Sequence, residues 1–212
     1  MSLSNAYLDA AEVAAELLAA PEVAAGWAAP SALPEMTVQA LAGHLAHQVF
    51  SVARVMGTTA PAGSRPVPVL EHYARAAWID APVDSEVNVG IRDNGANVAA
   101  EGPAELVARL RAALDEQRAA LPSLDGEAPV ELPWTGWALR LDDFLLTRMM
   151  ELAVHGDDLA VSVDVPTPNL PPAAFDPVAA LLAGLAARRH GQPALLRALT
   201  RAERAPSAIN AF

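Results

Sequence analysis

Residues 141–162 read LDDFLLTRMMELAVHGDDLAVS, and the charged side chains in this run fall on one stripe of an otherwise apolar helix. At about 100° per residue, Glu151 and His155 stand about 40° apart, Asp158 lies about 20° to the other side of Glu151, and Arg148 about 60° round. All four share a face. Leu145, Leu152 and Leu159 flank that face on one side and Met150 and Val154 on the other, so the stripe lies between two apolar shoulders and points inward. A buried carboxylate is costly unless a cation compensates it, and a Glu with a His one turn later can grip a divalent metal. The helix reads as half of a metal site.

The other half is expected on the helix that Thr37 caps and that runs to about Met56. Its apolar stripe is Val38, Leu41, Leu45, Val52 and Val55, with His44 and Gln48 at one margin. His44 thus looks into the bundle, whereas His47 lies about 140° from the stripe and looks at water. Three protein ligands, His44, Glu151 and His155, leave coordination positions open, which suits a catalytic site better than a structural one closed by a fourth ligand. Asp158 is placed to orient a metal-bound His by a hydrogen bond, and Gln48 to support the site or touch substrate. Arg148 either balances local negative charge or binds an anionic substrate. Asp157 points to solvent. Against this stands a plain reading of Glu151 and His155 as an intrahelical pair worth a few tenths of a kcal/mol, since this spacing occurs by chance on many helices.

The 212 residues are 53% hydrophobic but only 5% aromatic, a chain of Ala, Leu and Val that favours an all-α fold. A net charge of −11 argues against duplex nucleic acid or an anionic membrane as partner. There is no cysteine, hence no disulfide, no thiolate ligand and no cysteine nucleophile, and any thiol chemistry needs a borrowed thiol. The N-terminal MSLSNAYLDAAEVAAELLAA has no basic region of a secretory signal, and no apolar run approaches the roughly 18 residues of a membrane span. A soluble cytoplasmic protein is expected.

Along the chain, Ser4 is expected to cap a first helix carrying Tyr7, Ala11, Ala14, Leu17 and Leu18, ending near Pro21. A short helical turn and a loop follow to about Glu35. Residues 57–67 read as a loop and Pro68 to Trp78 as a helix, while Asp93-Asn94-Gly95 invites a turn. Gly102-Pro103 opens an amphipathic helix with Leu106, Leu110, Leu114 and Leu121 inside, stopping at Pro122. Residues 127–140 suit a packed loop or short hairpin, in which Trp134 and Trp137 read as packing residues. After the proline-rich connector, Asp176-Pro177 is expected to cap a helix closing at Arg188-Arg189-His190-Gly191, and a last helix spans about Pro193 to Ala202. His72 has no partner pattern, and His190 reads as a cation at a helix end.

Two motifs carry a resemblance. MTVQALAGHLA is similar to the Trp-Thr-Val-x-x-Leu-x-x-His-Leu signature of the mycothiol-dependent maleylpyruvate isomerase family, within the DinB/YfiT-like metalloenzymes, with Met36 where Trp is usual. RMMELAVHGDDLA resembles the family's Arg-x-x-Glu-Leu-x-x-His-x-x-Asp-Leu signature throughout. The resemblance covers about residues 5 to 165. It implies a DinB/YfiT-like four-helix bundle over 1–165, in which His44, Glu151 and His155 hold a divalent ion, commonly zinc, beside a site for mycothiol or a similar thiol. The family's isomerases carry a separate C-terminal domain that completes the active site; here residues 166–212 look like additional helices packed on the same domain.

Three functions remain open. The first is a thiol-dependent metalloenzyme, a transferase or an isomerase acting on a small electrophile. The second is a metal-dependent hydrolase with metal-activated water, and the third a non-catalytic helical module that binds a metal or ligand.

Overall fold

A computed structural model describes every residue except Met1, Thr59 and Ala62, so two positions of the expected 57–67 loop lie outside the described residues. Helix α1 spans Leu3–Leu18, and its cap lies two residues before the expected one. Ser2, in extended backbone, accepts the amide of Asn5, and Ser4 is drawn inside and buried. The expected inward positions Tyr7, Ala11, Ala14, Leu17 and Leu18 are all buried. A short α2, Pro21–Ala25, leads to α3, Val38–Met56, where the Thr37 hydroxyl accepts the Ala40 amide at 3.2 Å.

Helix α4, Val69–Ala74, is shorter than expected because the amides of Arg75 and Ala76 turn back to the carbonyls of His72 and Tyr73. Helix α5, Glu86–Val98, runs straight through Asp93-Asn94-Gly95 where a turn was expected. The reason is tertiary: Gly95 meets α3 backbone to backbone, and a Cβ there would stand 2.3 Å from the Ala40 carbonyl oxygen. The absent side chain permits that contact, and packing overrides the local turn preference.

Helix α6, Pro103–Ala120, follows Gly102 at φ 94 and buries Leu106, Leu110 and Leu114. Strands β1, Pro129–Leu132, and β2, Trp137–Arg140, pair antiparallel with Val130 opposite Leu139, which makes the 127–140 segment a hairpin. Helix α7, Leu141–Ser162, carries the polar stripe. Helix α8, Pro172–His190, starts earlier than the expected cap at Asp176-Pro177. Pro172 fills a helix-start position that needs no N–H, and Pro177, inside the helix, forfeits one backbone bond. Gly191, at φ 85, ends α8, and α9 spans Gln192–Thr200, stopping short of the expected Ala202.

The fold is all-α apart from that hairpin. Helices α1 and α3 each pack against both α6 and α7, closing a four-helix ring. Tyr7 Oη–H donates to Gln117 Oε1 at 2.8 Å and Gln117 Nε2–H donates to the Val49 carbonyl at 2.9 Å, so a satisfied buried bridge ties α1, α6 and α3 together. Helix α8 lies against α1, α4 and α7, burying Val178, Leu181 and Leu185. Among the described residues no helix is long and apolar enough to cross a membrane.

Candidate metal centre

Helix α3 delivers His44 and helix α7 delivers Glu151 and His155 to one place, where a donor atom from each lies within 4.8 Å of the others. His44 Nε2 is 3.5 Å and His155 Nε2 3.3 Å from Glu151 Oε2. The two imidazoles stand edge to face with centroids 4.6 Å apart. On its far side His155 Nδ1 lies 2.9 Å from Asp158 Oδ2. A carboxylate there takes the Nδ1–H and leaves Nε2 aimed at the other two donors, the arrangement that metal-ligating histidines use.

His44 is steadied from its own helix. Gln48 Nε2–H donates to the His44 carbonyl at 2.9 Å and stands 3.2 Å from His44 Nε2. Arg148 in turn donates from Nη1 to Gln48 Oε1 and from Nε to Thr147 Oγ1 at 3.1 Å. Arg148 therefore reaches the centre through Gln48, and among the described residues it forms no ion pair with Glu151. Asp157 is exposed and accepts from Thr167, as expected of a solvent-facing residue.

Burial alone would raise the pKa of Glu151, but hydrogen bonds from His155 and His44 hold it well below the usual carboxylate range. Burial pushes the His44 pKa down, leaving a neutral ring. Burial also works against charge on His155, yet its bonds to Asp158 and Glu151 prevail and raise it to about 9. A positive charge is thus already favoured between Glu151 and Asp158, carried by a proton when no metal is bound. Two imidazole nitrogens and one carboxylate oxygen suit a divalent first-row metal, and the charge balance fits one.

The sign of the pH dependence follows. Below about 9 a metal must displace the His155 proton, so apparent metal affinity is expected to rise about tenfold per pH unit toward pH 9 and then flatten. In the metal-free chain the raised pKa contributes stability that is complete below the unfolded value near 6.5 and lost as pH rises through about 9. Metal titrations and thermal melts of the metal-free chain from pH 6 to 9 check both; affinity that is flat with pH would mean that His155 holds no proton for the metal to displace.

The three donors open on a cavity of about 700 Å³. His47 lines it too, which corrects its expected solvent position: a neighbouring wall built from the 72–92 region and the hairpin rises beside that flank of α3. Burial holds its pKa down to about 4. Trp134 and Trp137, expected as packing residues, also face the cavity. Sequence reasoning missed His72 and Tyr73 on α4 and Phe212, which all line it. No local signal marked them, because their contacts are distant: Trp137 Nε1–H donates to His72 Nδ1 at 3.1 Å, and Phe212 packs on Trp78 and Tyr73 at 5.0 and 5.6 Å. His190, at the end of α8, lies 2.8 Å by its Nε2 from the Asn210 carbonyl.

Residues 7–160 match the family described as the mycothiol maleylpyruvate isomerase N-terminal domain, a span running from α1 to the end of the α7 stripe. The chain belongs to this family. No curated protein matches it. Among solved structures it is similar to the crystal structure of the mycothiol-dependent maleylpyruvate isomerase, at a TM-score of 0.52 and 17% identity over 89% of this chain and 69% of that one. At that identity the likeness concerns the fold, and it agrees with the helical ring described above. Within the mycothiol maleylpyruvate isomerase N-terminal family match lie His44, Glu151 and His155, while α8 and α9 lie beyond it.

Proposed function

We propose that the chain is a metal-dependent enzyme that uses a small external thiol, mycothiol or a close analogue, to isomerise or conjugate a small electrophile in the cytoplasm. One observation carries the reading: His44, Glu151 and His155 converge on a cavity of about 700 Å³ in a chain without cysteine. The matched family and the similar solved enzyme are both named for mycothiol, which supports a thiol as the borrowed nucleophile.

His44 Nε2, Glu151 and His155 Nε2 would hold a divalent ion, with zinc the first candidate for this donor set. When bound, such an ion lowers the pKa of a thiol beside it, supplying at neutral pH a nucleophile that a free thiol near pKa 8.5 provides only to a few per cent. The protein's own contribution is positional. Asp158 fixes the His155 tautomer, Gln48 and Arg148 hold His44, and the aromatic rings of Trp134, Trp137 and Phe212 line the cavity. Arg75, Arg92 and Arg148 line that cavity with Glu151 as its carboxylate, a balance that favours an anionic substrate in an otherwise acidic chain. We read residues 1–165 as the metal-binding bundle and 166–212 as a helical extension on the same domain, supported by the burial of α8 against α1 and α7.

The test is turnover of a panel of electrophiles, activated alkenes among them, by metal-loaded protein with and without thiol. Turnover is expected only with thiol, and stripping the metal should abolish it. Turnover of an ester or amide without thiol would move the assignment to hydrolysis by activated water, and metal binding without any turnover would leave a binding module.

A further inference from the structure

Past α9 the chain returns to the cavity, and little holds it there. Residues 201–208 are exposed, and among the described residues 205–209 make no backbone hydrogen bond. The His190 Nε2–H at the end of α8 then donates to the Asn210 carbonyl at 2.8 Å. Ala211 and Phe212 pack, half-buried, against the core. The Phe212 ring rests on Trp78 and Tyr73, with centroids 5.0 and 5.6 Å away. All three aromatic residues line the cavity. One part of its wall is therefore a side chain carried on an exposed strap and not on the helical ring.

The strap's ties are weak. Tilted aromatic contacts and one exposed hydrogen bond together match the burial of only about two or three methylene groups. Release also returns conformational freedom to a segment that is mostly exposed. An apolar group of about that size, on reaching Trp78 and Tyr73, competes with the Phe212 ring on even terms. The cavity offers such a group apolar surroundings, since Met36, Val87, Ile91, Met150 and Val154 line it as well.

Resting on the reading of this cavity as a site for an anionic substrate beside a metal ion, we infer that residues 205–212 form a displaceable strap and that Phe212 sets the length of apolar tail a substrate anion can carry. The charged end belongs at the metal centre, where three protein ligands leave a position open and Arg148 lines the cavity. A short tail stops before the Phe212 ring and leaves the strap in place. A longer one takes the ring's seat on Trp78 and Tyr73, and the strap lifts away.

The test is calorimetric titration of the zinc-loaded full chain with straight-chain carboxylates from acetate to decanoate. In the native chain, affinity is expected to rise about fourfold per methylene, to stall over about two or three carbons while the ring is displaced, and then to resume. In Phe212→Ala the stall is expected to vanish, which strengthens the long members by about 10- to 50-fold and leaves the short ones unchanged. His190→Ala keeps the ring but removes the hydrogen bond that ties the strap to α8. It is expected to strengthen the long members alone, by about three- to tenfold. Circular dichroism and metal content confirm that each variant is folded and loaded. The same length dependence in all three proteins overturns the inference, and so does weaker binding of the long members in Phe212→Ala, which would make Phe212 a fixed wall. Binding of no carboxylate by any of the three overturns the anionic-substrate reading and the inference with it, whereas binding without a length-dependent difference overturns the inference alone.

Discussion

Purified His155→Ala protein is expected to carry no stoichiometric divalent ion while keeping the helix content of the native chain. His155 supplies one of the three donor atoms gathered within 4.8 Å, and its ring is the one held by Asp158 at 2.9 Å. Loss of an orienting partner alone typically weakens a metal site 10- to 100-fold, so loss of the ligand itself should exceed about a hundredfold. The bundle should survive, because His155 faces the cavity rather than the close-packed core and alanine is the best helix former. Elemental analysis beside circular dichroism reads both quantities. His47→Ala is the control: His47 shares the cavity but lies outside the donor trio, and its loss should leave metal content unchanged. Full occupancy in His155→Ala would remove His155 from the ligand set, and metal loss in His47→Ala would add a residue to it.

That pair of histidines shows what the sequence could and could not convey. Helical periodicity ties a side chain's direction to the helix axis, so the convergence of His44, Glu151 and His155 was readable from two amphipathic stripes. The same wheel sent His47 to water because it knows nothing of a neighbour arriving from elsewhere in the chain. The cavity that His47 lines is walled also by His72, Tyr73 and Trp137, and their grouping depends on a contact such as that between Trp137 and His72 across 65 positions. The hairpin at 127–140 was legible from its Pro, Gly and Trp content, since turn chemistry is local. The course of α5 was not. Asp93-Asn94-Gly95 has the composition of a turn, and only the approach of α3 explains why Gly95 is helical instead.

From that approach comes the second large effect expected: Gly43→Ala should destabilise the chain by about 3 kcal/mol or more, beyond the 1–3 typical of an overpacked core. A Cβ at position 43 would stand 2.0 Å from the Gly95 carbonyl oxygen and 2.9 Å from Ala99 Cβ. The first neighbour is backbone and cannot swing aside, so relief requires α5 to move off α3. Helix α5 is held chiefly by α3, with Gly95 buried and Ala96 and Val98 packed against the core, so moving it gives up its main anchorage. Moving it would also displace Asn88, Ile91 and Arg92 from the cavity wall and strain the residue adjacent to His44, so metal affinity should fall along with stability. Gly90→Ala supplies the opposite sign on the same helix. A Cβ there meets nothing within 4 Å, and exchanging glycine for alanine inside an exposed helix should stabilise by about 0.5–1 kcal/mol. Chemical denaturation of the three proteins measures the contrast. A Gly43→Ala chain as stable as the native one would mean that α3 and α5 do not touch backbone to backbone, and the cavity wall that rests on that contact would have to be redrawn.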